Sequence, residues 1–80
     1  MPKREPTVSS LRLDAQLAYL DGRVKQAREL NKRADVKAAV ERALHDLGGA
    51  MIAHAADDRL AALRERVRKA EKRAALYLAA

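Results

Sequence analysis

There is no cysteine anywhere in the chain, and at 80 residues that absence limits the fold more than any residue that is present. A domain of this size hides only roughly 60% of the surface its unfolded chain exposes, so a single small core must hold it together. Disulfides, a structural metal or a second subunit usually supply what such a core lacks. Without thiols there can be neither a disulfide nor a thiolate metal site. Association with a second copy remains, and a homodimer is the first expectation.

Charge gives the second. Seventeen Lys and Arg stand against 11 Asp and Glu, a formal net of +6. An excess of this sign favours a polyanionic partner, nucleic acid ahead of an acidic membrane surface. Lys3 and Arg4 run into Glu5 and Pro6 rather than into the apolar core of a secretory signal. The longest nearly uncharged stretch, residues 48–56, is too short to cross a bilayer. The sequence therefore predicts a cytoplasmic, nucleoid-associated protein with no membrane partner.

Along the chain, residues 1–7 carry two prolines and three charges and read as a flexible basic arm. In residues 8–13, Leu11 and Leu13 fall on one face of an extended chain while Ser10 and Arg12 fall on the other, which predicts a short strand. Asp14 stands as an N-cap before a first helix. Leu17, Leu20, Val24, Ala27 and Leu30 then recur at helical steps, and the stripe passes through Gly22 without a change of phase, so one helix is expected through the Asp21-Gly22 turn signal. The stripe breaks at residues 31–35, where Asn31 can stop a helix and Asp35 can cap the next. Val36, Val40, Ala43, Leu44 and Leu47 define the second helix, which Gly48-Gly49 is expected to end. A third helix follows, started by Asp57-Asp58, with a seam of Leu60, Leu63, Val67, Ala70, Ala74 and Tyr77.

One strand cannot stand alone, because its backbone amides and carbonyls need a ladder. The chain offers no second strand, so the expected partner is the same segment of another copy, antiparallel across a two-fold axis. Such a ribbon presents Val8, Ser10 and Arg12 outward, twice, and fits the major groove of B-DNA. The dimer core is then Leu11, Leu13, Leu17, Leu20, Val24, Val36, Val40, Leu44 and Leu47.

This order of strand, capped helix, turn and second helix, with Arg12-Leu13-Asp14 closing the strand and Ala43-Leu44 in the second helix, resembles the ribbon-helix-helix (MetJ/Arc-type) DNA-binding family over about residues 7–48. The resemblance implies a mainly α fold with one short N-terminal β-strand, an intertwined homodimer held by an intermolecular antiparallel β-ribbon, and an added C-terminal helix. It implies base reading by Val8, Ser10 and Arg12, and a phosphate clamp made by Lys32, Arg33 and the amides after Asp35. Lys37 and the arm residues Lys3 and Arg4 add phosphate contacts through their charge. Three regions follow: an arm at 1–7, the DNA-binding and dimerisation domain at 8–48, and a helical extension at 49–80.

The basic cluster Arg64, Arg66, Arg68, Lys69, Lys72 and Arg73 spreads around the third helix, which suits a solvated surface better than a second DNA site. His45 and His54 have no ligand at metal spacing, so neither metal nor cofactor is expected. No phosphate loop, nucleophile–base pair or pocket-sized core is present, and no enzymatic activity is expected. Tyr19 and Tyr77 are the only aromatics, too few for stacking on single-stranded bases. The expected function is sequence-specific binding of double-stranded DNA as a homodimer, as a transcriptional repressor or plasmid maintenance protein. The competing reading is a helical interaction module, an antitoxin-like adaptor or coiled-coil assembly factor, that uses the seam from Leu60 to Tyr77 on a protein partner.

Overall fold

A computed structural model of the chain describes residues 6–78 and contains, in order, helices α1 (Val8–Leu20), α2 (Val24–Ile52) and α3 (Asp57–Leu78). Among the described residues there is no strand. The expected β-strand at residues 8–13, and with it the intermolecular β-ribbon and the ribbon-helix-helix fold, is overturned: that segment forms the first turns of α1.

The reason is local. Thr7 is the N-cap; its hydroxyl accepts from the Ser10 amide at 3.1 Å, and the Ser10 hydroxyl accepts from the Thr7 amide at 2.9 Å. This reciprocal capping box satisfies two amides that would otherwise be orphaned. Leu11, Ala15 and Ala18 then recur at helical spacing and are the buried residues of α1. The alternation that suggested a strand is coincidental: Leu11 is 4% exposed and Leu13 is 56% exposed. Asp14 lies inside α1 and caps nothing.

α1 stops at the Asp21-Gly22 signal that the leucine stripe seemed to override. Gly22 takes a positive φ of 77°, its amide donates to the Tyr19 carbonyl, and the Arg23 amide donates to Ala18. These paired bonds close a helix only when the residue after the cap enters the left-handed region, where a Cβ is costly. Asp21 pairs with Arg23 at 3.1 Å.

The two expected interruptions of α2 are also overturned. Asn31 and Asp35 sit within a continuous helix, as do Gly48 and Gly49. Ala27 and Ala34, both buried, are a heptad apart, as are the buried Val36 and Ala43. The step of two between Ala34 and Val36 breaks the phase of the buried stripe, but helical hydrogen bonding runs through it. The end comes at His54, which adopts φ 55° while the Ala55 amide donates to Ala50 and the His54 amide donates to Met51. Histidine here takes the role glycine has at position 22. α3 starts with Asp57 and Asp58 in its first turn, where carboxylates suit the helix dipole.

The chain divides into two compact units, Met1–Asp35 and Val36–Ala80. In the first, Arg12 of α1 donates to Asp35 of α2 at 3.0 Å, so the start of α1 lies beside residue 35 and the two segments run antiparallel. In the second, Arg66 of α3 donates to Asp46 of α2 at 2.9 Å. Among the described residues nine are buried, six of them alanine and only one leucine, so most of the fully hidden side chains are single methyl groups.

Two results follow for stability. Gly22→Ala is expected to destabilise by about 1 kcal/mol because alanine resists the left-handed conformation, whereas His54→Gly is expected to stabilise by up to about 1 kcal/mol by relieving it. Thermal melts read by circular dichroism check the opposite signs. Gly48 and Gly49 have no positive φ, and a Cβ built on either meets nothing within 4 Å. Each change to alanine is therefore expected to raise stability by about 1 kcal/mol, again measured as an upward shift in Tm.

Candidate nucleic-acid interface

The structure scatters the residues that the strand would have aligned. Val8 is the first residue of α1, the Ser10 hydroxyl is occupied in the capping box, and the Arg12 guanidinium is bound to Asp35. Val8 and Arg12 share one side of the helix, and Ser10 lies away from them. No common reading row is formed. Lys3 and Arg4 lie outside the described residues.

The phosphate clamp is also rearranged. Asp35 is inside α2, so the amides after it bond within the helix and are not presented as a helix N-terminus. Lys32 is exposed; Arg33 and Lys37 are half-buried. The Arg33 Nε lies 3.9 Å from Glu29 one turn away, an ion pair that holds its side chain along the helix.

Of the expected dimer core, Leu11 and Val36 are buried, and Val40 and Leu47 are half-buried. Leu13, Leu17, Leu20, Val24 and Leu44 are exposed. In the α3 seam Val67 and Ala74 are buried, with Leu60, Leu63, Ala70 and Tyr77 half-buried.

What the fold does assemble is a basic surface on α2 and α3 in the second unit. Arg66, Lys69 and Arg73, at steps of three and four, share one flank of α3, beside its buried stripe. Arg42 comes from α2, and all four cations line a single depression of about 300 Å³ together with Val36, Ala39 and Ala70. Arg66 is bound to Asp46. Lys69 acts electrostatically on Glu65. Among the described residues no carboxylate lies within ion-pair distance of Arg42 or Arg73. Like charges held close raise the local potential and favour a polyanion that neutralises them.

On the other side of α3, Arg68 is taken out of play by a two-pronged pair with Glu65, at 2.7 and 3.0 Å. The hydrogen bond from Arg68 holds the Glu65 carboxyl below its ordinary range, and the same bond raises the arginine. The six-residue basic cluster expected to be uniformly solvated is thus sorted by the structure: Arg66, Lys69 and Arg73 converge with Arg42, and Arg68 is neutralised.

A second depression of about 500 Å³ at the α2–α3 turn is lined by Gly49, Ala50, Ala53, Ala55 and Leu63, with His45, Asp46, Arg59 and Arg66. Among the described residues no group of three or more His, Cys, Asp or Glu is placed to hold a metal, and no helix is long and apolar enough to cross a membrane.

The sequence signal for the α3 part of this surface was present in the spacing 66, 69 and 73. Arg42 lies 24 residues earlier in the chain, and its place beside them depends on how α3 folds back. No family model matches the chain, and no curated protein or solved structure is similar to it.

Glu65 has its carboxyl lowered by Arg68, so what the pair contributes to folding is present above the ordinary carboxylate range and lost as pH falls through the folded value. The expected outcome is that Glu65→Gln shifts the acid-unfolding midpoint only slightly, because the pair is solvent-exposed. An acid titration followed by circular dichroism checks this.

Proposed function

We propose that the chain binds double-stranded DNA through the phosphate backbone, using the basic face that Arg42 presents with Arg66, Lys69 and Arg73. The observation that carries this reading is the convergence of four cations from two helices on one depression, where among the described residues no carboxylate lies within ion-pair distance of Arg42 or Arg73. The span from Arg66 to Arg73 is about 10 Å of helix, enough to reach more than one phosphate of a duplex strand.

Two features favour DNA over other polyanions. The seam of α3, the helix that carries three of the four cations, is buried or half-buried within its own unit, so that helix offers little apolar face beside its cations to lay into a lipid interface. Tyr19 and Tyr77 are the only aromatics in the chain, which argues against stacking on single-stranded bases. Contacts of this kind position a protein on the duplex and carry little sequence information. The proposed activity is therefore sequence-tolerant duplex binding, with the expected groove-reading ribbon replaced by a helical basic surface.

Fluorescence anisotropy with duplexes of unrelated sequence at several salt concentrations tests the reading. Affinity is expected to fall linearly on a logarithmic salt scale. Arg42→Ala and Arg73→Ala should each weaken all duplexes alike and reduce the slope by about one, while Arg12→Ala should leave both nearly unchanged. Absence of binding at low salt, or a slope unmoved by the double substitution, would contradict it.

A further inference from the structure

α1 has two apolar faces. Leu11, Ala15 and Ala18 are buried. Leu13, Leu17 and Leu20, at steps of four and three, lie on the opposite side and are 56%, 49% and 78% exposed. Burying an exposed leucine releases far more free energy than burying alanine, so a helix that turns Ala15 and Ala18 inward and leaves Leu13, Leu17 and Leu20 outside leaves a large apolar contribution unused. A row of this kind at heptad spacing marks an interaction surface rather than scattered exposure.

We infer that this face of α1 binds the same face of a second copy of the chain, the two helices running antiparallel. The charge distribution selects that occupant. The chain carries a net +6, so two copies repel one another least where each presents a face without net charge. The leucine row comes close to this condition: Ser9, Ser10 and Gln16 border it, Arg12 and Asp14 project about a quarter turn away on either side, and the charge at its C-terminal end, Asp21, is balanced by its ion pair with Arg23. An acidic protein would be drawn to the cations of α2 and α3, not to a neutral stripe. The row is also self-complementary. With a two-fold axis near Leu17, the leucine at one end of the row meets the leucine at the other end of its twin, as an isologous interface requires. A core whose buried residues are mostly alanine is the situation in which a second subunit supplies the missing burial.

This inference does not rest on DNA binding, and it is tested without DNA. Sedimentation equilibrium of the full chain is expected to show a monomer–dimer equilibrium, with a Tm that rises with concentration. Leu13→Gln combined with Leu17→Gln keeps helix propensity and is expected to raise the dimer dissociation constant by about tenfold or more, with monomer helix content unchanged. Leu76→Gln, at an equally exposed leucine on α3, is expected to leave it unchanged. A monomer at every concentration overturns the inference, as does a dimer indifferent to the α1 pair. Loss of helix content in the Leu13/Leu17 variant at monomer concentrations also overturns it, since these side chains would then be part of the single-chain fold.

Discussion

Where helices meet through alanine their axes can come close, toward the lower end of the usual 8–10 Å, but each contact removes only about one methyl group from water, on the order of 0.8 kcal/mol. Ala15, Ala18, Ala27, Ala34, Ala43 and Ala74 make up most of what this chain buries. The organisation of the molecule follows from that choice. Small inner faces leave Leu13, Leu17 and Leu20 of α1 outside, make the cross-helix ion pairs Arg12–Asp35 and Arg66–Asp46 visible features of each unit, and place much of the stability in helix propensity and in the helix ends.

Helix ends therefore matter more here than in a protein with a large core. The Thr7–Ser10 box starts α1 and Gly22 stops it; His54 stops α2 in a conformation that glycine would adopt more easily. Alanine-rich segments propagate helix readily once nucleated, which is why α2 runs through Asn31, Asp35 and a pair of glycines without stopping. The ends that do form are those at which backbone hydrogen bonds close onto a left-handed residue. The basic surface depends on two of these helices, because α3 returning along the second half of α2 is what carries Arg66, Lys69 and Arg73 to Arg42.

Much of this was legible in the sequence. The lack of cysteine, the basic excess and the start of α3 at Asp57-Asp58 all stood in the residues; the Asp21-Gly22 turn signal stood there too, but the leucine stripe favoured one helix through it, and the structure ends α1 there. The strand did not survive because alternation over residues 8–13 is satisfied as well by a helix with two apolar faces, and the Thr7-Val8-Ser9-Ser10 cap decided between them. The phase slip between Ala34 and Val36 looked like a boundary because an amphipathic stripe reports which side is buried, and that side can change along one uninterrupted helix. The basic surface was half legible: steps of three and four on α3 were readable, whereas the contribution of Arg42 is tertiary. The resemblance over residues 7–48 rested on the strand and lost its structural basis with it.

The central claim is that residues 8–13 are helical and turn Leu11 inward and Leu13 outward. Proton NMR of the isotope-labelled chain tests it most directly, through nuclear Overhauser contacts along that segment. The account predicts strong amide–amide contacts between successive residues from Val8 to Leu13, and contacts from each α-proton to the amide three residues on. Interchain α-proton contacts of an antiparallel ladder across residues 8–13, with the helical contacts missing, would contradict it.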